Sequence, residues 1–182
     1  MINDFALIIG AMKCGTTSLF KYLVEHPQIC PCEYKKEPDF FGKNSNYQKG
    51  FQWYRDLWDY DSKIHKIGLE ASTSYTKLRT AEVADRIFEA QSKFDANFHF
   101  IYIMRDPIER IESHYTHGLS TKWGQKMMKL DKGIDHRLIE ISRYAKQIDE
   151  YYKRFLKNNI LLLNFEDLKN DPSSVLKKYA VF

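Results

Sequence analysis

The apolar residues of this chain fall into short runs separated by amphipathic stretches, and the order of the two predicts the architecture. Residues 5–9 (FALII) are a continuous apolar run ending at Gly10, the pattern of a strand buried on both faces. Residues 16–26 begin with the hydroxyls of Thr16, Thr17 and Ser18, place Leu19, Phe20, Leu23 and Val24 on one face, and stop at Pro27. That pattern predicts a helix, so the first unit is strand, glycine-containing loop, helix. Residues 28–46 carry little periodicity and several turn formers, and are expected to form one long, ordered, functional loop. After it come a short aromatic helix over 50–58, a brief strand over 66–70 and a polar turn over 71–74. Val83, Ile87, Phe88 and Phe94 then keep the spacing of a crossover helix.

The clearest later strand is 98–104 (FHFIYIM), rich in aromatic and β-branched residues. Asp106 followed by Pro107, with Glu109 three residues after the cap, marks a helix start and puts Arg105 at the carboxyl end of that strand. Residues 121–133 read as a polar connection. Leu138, Ile141, Ala145, Ile148, Tyr152 and Phe155 trace one long amphipathic helix over 135–156. A buried strand over 160–164 and a last helix opened by Pro172 and running to the end complete the chain. Alternating strands and helices argue for an α/β fold with a mostly parallel central sheet, and such sheets bind ligands at their carboxyl edge. Lys13 and Arg105 both fall there. The 182 residues make one domain, with no repeat and no linker.

Composition narrows the class. Apolar residues are 43% and charged residues 29%, and no apolar run approaches the roughly 20 residues that cross a bilayer, so no transmembrane segment is expected. The N-terminus shows no basic leader or cleavable signal, which sets a cytoplasmic expectation. A net charge of +4 suits an anionic ligand, while no basic face interleaved with aromatics suggests nucleic acid. Cys14, Cys30 and Cys32 are read as reduced thiols, and neither they nor the histidines show the spacing of a metal site.

The loop GAMKCG over 10–15 offers the backbone N–H groups and helix dipole that bind phosphate-type anions. Its glycines have Walker A spacing, but Thr16 stands where the lysine belongs and the lysine is at position 13, nearer a 5′-phosphate and its attached group. No apolar strand ends in an aspartate suited to hold magnesium. The alternative is that Lys13 is a solvated loop residue and the glycines only make a turn. Arg105 offers a fork of donors and Ser113 a hydroxyl to a second phosphate, the two separated by about 9 Å of helix. The alternative for Arg105 is an ion pair at a strand end, and Arg110 is read as a helix-surface charge.

Three segments carry a family resemblance. LIIGAMKCGTTSL (7–19) resembles the 5′-phosphosulfate loop, and IMRDPIERIESHY (103–115) the 3′-phosphate motif, of sulfotransferases that use 3′-phosphoadenosine 5′-phosphosulfate. Among them it resembles the heparan-type and bacterial branch, and the likeness continues through LLNFEDL (162–168). The resemblance implies a P-loop-like three-layer fold whose final part is missing from this chain. It also implies transfer of a sulfuryl group to a hydroxyl or amine, with 3′,5′-bisphosphoadenosine as product and no metal. Lys13, Cys14, Gly15, Thr16, Thr17 and Ser18 would then hold the 5′ side and Arg105 and Ser113 the 3′-phosphate.

Lys13 would steady the leaving phosphate, and Glu37, in KKEPDFFG (35–42), would be the base. Read without the family, Glu37 is a solvated loop charge. Related members commonly carry histidine at the place of Asp39, and some carry lysine at the place of Ala71. Glu70 is the rival base or an acceptor-positioning carboxylate. The resemblance leaves the acceptor open, with a saccharide or a small molecule expected. A nucleotide kinase and a binding module without catalysis are the other readings.

Overall fold

The computed structural model describes residues 1–120 and 133–179. Five strands, β1 (Asp4–Gly10), β2 (Ile29–Pro31), β3 (Ile67–Glu70), β4 (Asn97–Met104) and β5 (Ile160–Asn164), form one sheet in the order β2-β3-β1-β4-β5. Every pairing is parallel, as the alternating pattern requires. The helices are α1 (Thr16–Leu23), α2 (Asn44–Tyr47), α3 (Phe51–Arg55), α4 (Thr80–Phe94) and α5 (Pro107–Leu119). They continue with α6 (His136–Ile141), α7 (Tyr144–Tyr152), α8 (Phe165–Asn170) and α9 (Pro172–Tyr179). Short 3-10 turns lie at Thr73–Thr76 and Lys157–Asn159. None of the described helices is long and apolar enough to cross a membrane.

β1 lies at the centre because its run is apolar on both faces: Phe5, Leu7, Ile8 and Ile9 are all fully buried. Phe98, Phe100 and Tyr102 alternate along β4 and so share one face of the sheet. Phe98 stacks on Phe5 at 5.4 Å, and Phe100 packs on Phe155 at 4.5 Å. Phe40, Phe41, Phe51 and Tyr54 join the same aromatic sector, with Phe40 stacked on Tyr54 at 4.7 Å. Each such buried ring contributes roughly 1.5–3 kcal/mol. The high aromatic content is therefore mostly core.

Four expectations need correction. The loop expected over 28–46 contains β2, a three-residue edge strand ending at Pro31, and the first turn of α2. Proline is tolerated there because an edge strand leaves one side unpaired. Phe88, placed on the buried face of α4, is 45% exposed and touches Phe155 only edge-on.

The single helix expected over 135–156 is two helices, broken at Ser142 and Arg143. The cause is Arg110, whose Nη2 donates to the Leu138 carbonyl at 2.6 Å while its Nε donates to Ser142 Oγ at 2.6 Å. Ser142 N–H turns instead to the Ile139 carbonyl, and the helix ends. Arg110 is fully buried, not a helix-surface charge. Of the polar connection expected over 121–133, residues 121–132 lie outside the described part.

Candidate active site

The glycine loop leaves β1 through a bulge, where Ile8 and Gly10 pair with successive residues of β4. Ile9 is the extra residue, and its carbonyl accepts from Thr76 Oγ1 at 2.6 Å. A Cβ on Gly10 would stand 2.1 Å from that hydroxyl, so the 3-10 turn packs directly on the start of the loop. Lys13 has φ 70, a conformation that costs a residue with a Cβ about 1–2 kcal/mol. Gly15 has φ 83, and a Cβ there would meet the Phe165 ring at 2.7 Å. α1 begins right after it without a side-chain cap, so its first N–H groups face outward. Thr17 and Ser18 are exposed at that end and Thr16 is buried.

The Cys14 side chain is enclosed in the core. Its thiol is fully buried, 3.6 Å from Tyr144 Oη, and its N–H donates to the Ala11 carbonyl at 3.2 Å. Burial also pushes the thiol pKa up.

The second motif meets the loop across a cleft of about 560 Å³, lined by Lys13, Arg105, Ser113, Glu109, Glu112 and His117 among others. Asp106 caps α5, accepting from Ile108 and Glu109 N–H at 2.9 and 3.1 Å, which fixes Arg105 at the strand end. Arg105 Nε pairs with Glu109 at 2.9 Å, so the ion pair weighed against phosphate binding is present. The guanidinium lies 5.0 Å from the centre of the Phe165 ring. Phe165 thus supports both Gly15 and Arg105, a role with no signal in the sequence beyond its place after a strand.

Glu37 lies on the β2–α2 segment and is not among the residues that line this cleft. Its carboxylate accepts from Thr73 Oγ1 at 3.3 Å and pairs with Lys36 at 2.8 Å. Lys36 Nζ also donates to Thr17 Oγ1 at 3.2 Å, so one lysine ties the carboxylate to the start of α1. Asp39 has φ 55, accepts from Ser74 Oγ, and its N–H donates to Ser72 Oγ at 3.0 Å.

Glu70 does not share this opening. It is fully buried and accepts from Tyr54 at 2.7 Å, Ser72 at 2.5 Å and Tyr75 at 3.0 Å. Burial pushes its pKa up to about 7 against the opposing pull of those hydroxyls. It presents no surface to this opening. It organises the acidic loop instead, since Ser72 Oγ and Tyr75 Oη also accept the N–H groups of Asp39 and Phe41. His114 was unassigned in the sequence and is half-buried beside the cleft. Arg110 Nη1 is 3.1 Å from its Nδ1, which must accept, so the ring proton sits on Nε2.

An uncapped helix start, a glycine with no room for a Cβ, and Lys13, Arg105 and Ser113 on one cleft form a donor set that fits a nucleotide with two phosphate-type groups. The chain is similar to mouse (Mus musculus) heparan sulfate glucosamine 3-O-sulfotransferase 3B1, 30% identical over 186 residues that cover 97% of this chain and 45% of that protein. It is also similar to mouse bifunctional heparan sulfate N-deacetylase/N-sulfotransferase 4, 26% identical over 197 residues covering 97% of this chain and 22% of that one. The chain therefore spans less than half the length of these two relatives. The crystal structure of a sulfotransferase from Alicyclobacillus acidocaldarius shares the fold, with a TM-score of 0.74 at 24% identity over 98% of this chain and 79% of that one. Residues 3–182 match the model of the sulfotransferase domain, and the chain belongs to that family.

Proposed function

We propose that this chain transfers a sulfuryl group from 3′-phosphoadenosine 5′-phosphosulfate to a hydroxyl or amine of a saccharide acceptor. The observation that carries the reading is the meeting of Lys13, Arg105 and Ser113 on one cleft, with Glu37 tied to the loop through Lys36 and Thr17. The bound donor supplies a sulfur centre whose bond to a phosphate oxygen breaks as the acceptor attacks in line. The N–H groups of Thr16, Thr17 and Ser18 and the Lys13 ammonium hold the 5′ side, and Lys13 balances the charge left on the phosphate. Arg105, through its terminal nitrogens, and Ser113 hold the 3′-phosphate. Glu37 takes the acceptor proton. The two relatives are named for sulfation of heparan sulfate, one at oxygen and one at nitrogen, and this supports a saccharide acceptor. Three buried free thiols suit the cytoplasmic setting that belongs to this reading.

Two substitutions test it. Glu37→Gln should lower kcat by about 100- to 10,000-fold, the usual worth of a general base, while calorimetry shows unchanged affinity for 3′,5′-bisphosphoadenosine. Lys13→Ala should weaken both turnover and that affinity. Retained turnover in either variant, or magnesium-dependent consumption of ATP by the parent, would overturn the assignment.

A further inference from the structure

Each of the first four strands in chain order is followed at its carboxyl end by a cation: Lys13 after β1, Lys36 after β2, Lys77 after β3 and Arg105 after β4. Lys36 is paired with Glu37, and Arg105 with Glu109. The Lys13 and Lys77 ammonium groups have no hydrogen-bond or ion-pair partner among the described residues. Both are half-buried. A partly desolvated ammonium without a partner is costly unless an anion joins it.

The surroundings of Lys77 say where that anion lies. Lys77 follows the 3-10 turn Thr73–Thr76, its N–H donating to the Ser74 carbonyl at 3.3 Å. That turn touches the candidate base on one side, through Thr73 Oγ1 to Glu37 and Ser74 Oγ to Asp39. On the other side Thr76 Oγ1 reaches Ile9 at the root of the glycine loop. The field of Lys77 is felt at His114 together with that of Lys13, and Lys77 in turn feels Glu37, Asp39 and Lys36. The turn that carries Lys77 therefore lies between the root of the glycine loop and the carboxylate assigned to the acceptor. In an in-line transfer, the group that occupies that interval is the one being transferred.

We propose that Lys77 binds the sulfonate oxygens of the donor, as a second cation beside Lys13. This rests on the sulfotransferase reading above. The step itself is unchanged: the acceptor oxygen or nitrogen bonds to sulfur, the sulfur–oxygen bond to the phosphate breaks with its electron pair left on that phosphate, and the acceptor proton goes to Glu37. The Lys77 ammonium holds the three peripheral oxygens, whose negative charge it offsets throughout.

The donor and its product differ by the sulfuryl group, which gives a direct test. Calorimetry without acceptor compares Lys77→Met with the parent for 3′-phosphoadenosine 5′-phosphosulfate and for 3′,5′-bisphosphoadenosine. The expected result is a loss of roughly tenfold or more in donor affinity with product affinity unchanged, the worth of one charge-assisted hydrogen bond. Lys13→Ala should weaken both ligands. Equal affinities of Lys77→Met and the parent for the donor overturn the proposal. So does a raised acceptor KM with donor affinity intact, which would move Lys77 to the acceptor. If Lys77→Met does not fold, Lys77→Gln carries the same comparison, with product binding as its check on folding. Failure of the parent to bind the bisphosphate sinks the sulfotransferase reading itself, and is thus distinct from failure of this inference.

Discussion

Glu70 and His114 titrate in opposite senses over nearly the same pH range. Burial raises Glu70 from 4.5 to about 7, so its contribution to stability is full below pH 4.5 and is lost as pH rises through 7. That loss amounts to roughly 3 kcal/mol across the window. His114 is lowered from 6.5 to about 4, first by burial and then by the charges of Arg110, Lys77, Lys13 and His117. Its contribution is present above pH 6.5 and is lost as pH falls through 4. Because His114 is half-exposed, its share is the smaller, and the parent should lose only a little stability between pH 4.5 and 7. Glu70→Gln should expose the histidine alone, giving stability that rises with pH in that window. His114→Asn should expose the glutamate alone and steepen the fall. Thermal melts at half-unit pH steps read both slopes, and a Glu70→Gln slope identical to the parent's would contradict the shift. The sequence showed Glu70 only as a carboxylate at a strand end. Nothing in its spacing revealed that Tyr54, sixteen residues earlier, and Tyr75 would close over it.

The elements that were legible in the sequence are those whose own residues decide them. β1, β4, β5 and the capped start of α5 follow from apolar runs, Asp106 and Pro107, and the structure places them within a residue or so of expectation. What was not legible depends on partners distant in the chain. β2 exists because β3 offers it an edge, with Cys30 opposite Gly68, although ICP has no strand pattern of its own. The long helix splits because Arg110, twenty-eight residues earlier, takes the carbonyl of Leu138. Two misreadings, a surface arginine and a continuous helix, thus have one physical cause. The same logic applies to Gly15, whose spacing identified the loop but not the ring that fills the space of its side chain. Gly15→Ala must accept both a positive φ and the Phe165 ring at 2.7 Å. The left-handed conformation alone costs about 1–2 kcal/mol. Displacing Phe165 should also unseat Arg105, so the variant should melt lower and bind the bisphosphate more weakly. A lower melting point with unchanged affinity would show that Phe165 does not transmit the change.

Across the whole molecule the sheet sorts charge by position. The excess of cations is only +4, yet the turns at the carboxyl ends of β1 to β4 each present one, and Arg110 is buried just behind them. Most of the remaining ion pairs are local, between residues three or four apart on one helix, such as Lys153 with Asp149 and Glu150. Exposed pairs of that kind add little to stability, because solvent screens them. Folding and binding should therefore respond differently to salt. Raising potassium chloride from about 50 to 500 mM shortens the screening length from well over 10 Å to a few ångströms. The bisphosphate, drawn to a convergence of fixed cations, should lose about tenfold in affinity over that range, a loss worth about 1.4 kcal/mol. The melting temperature should move by no more than a few degrees, since the aromatic core is indifferent to screening. Calorimetric titration and melting in the same buffers check the two together. Affinity that stayed constant with salt would mean that the cations at the strand ends do not engage the nucleotide's phosphates.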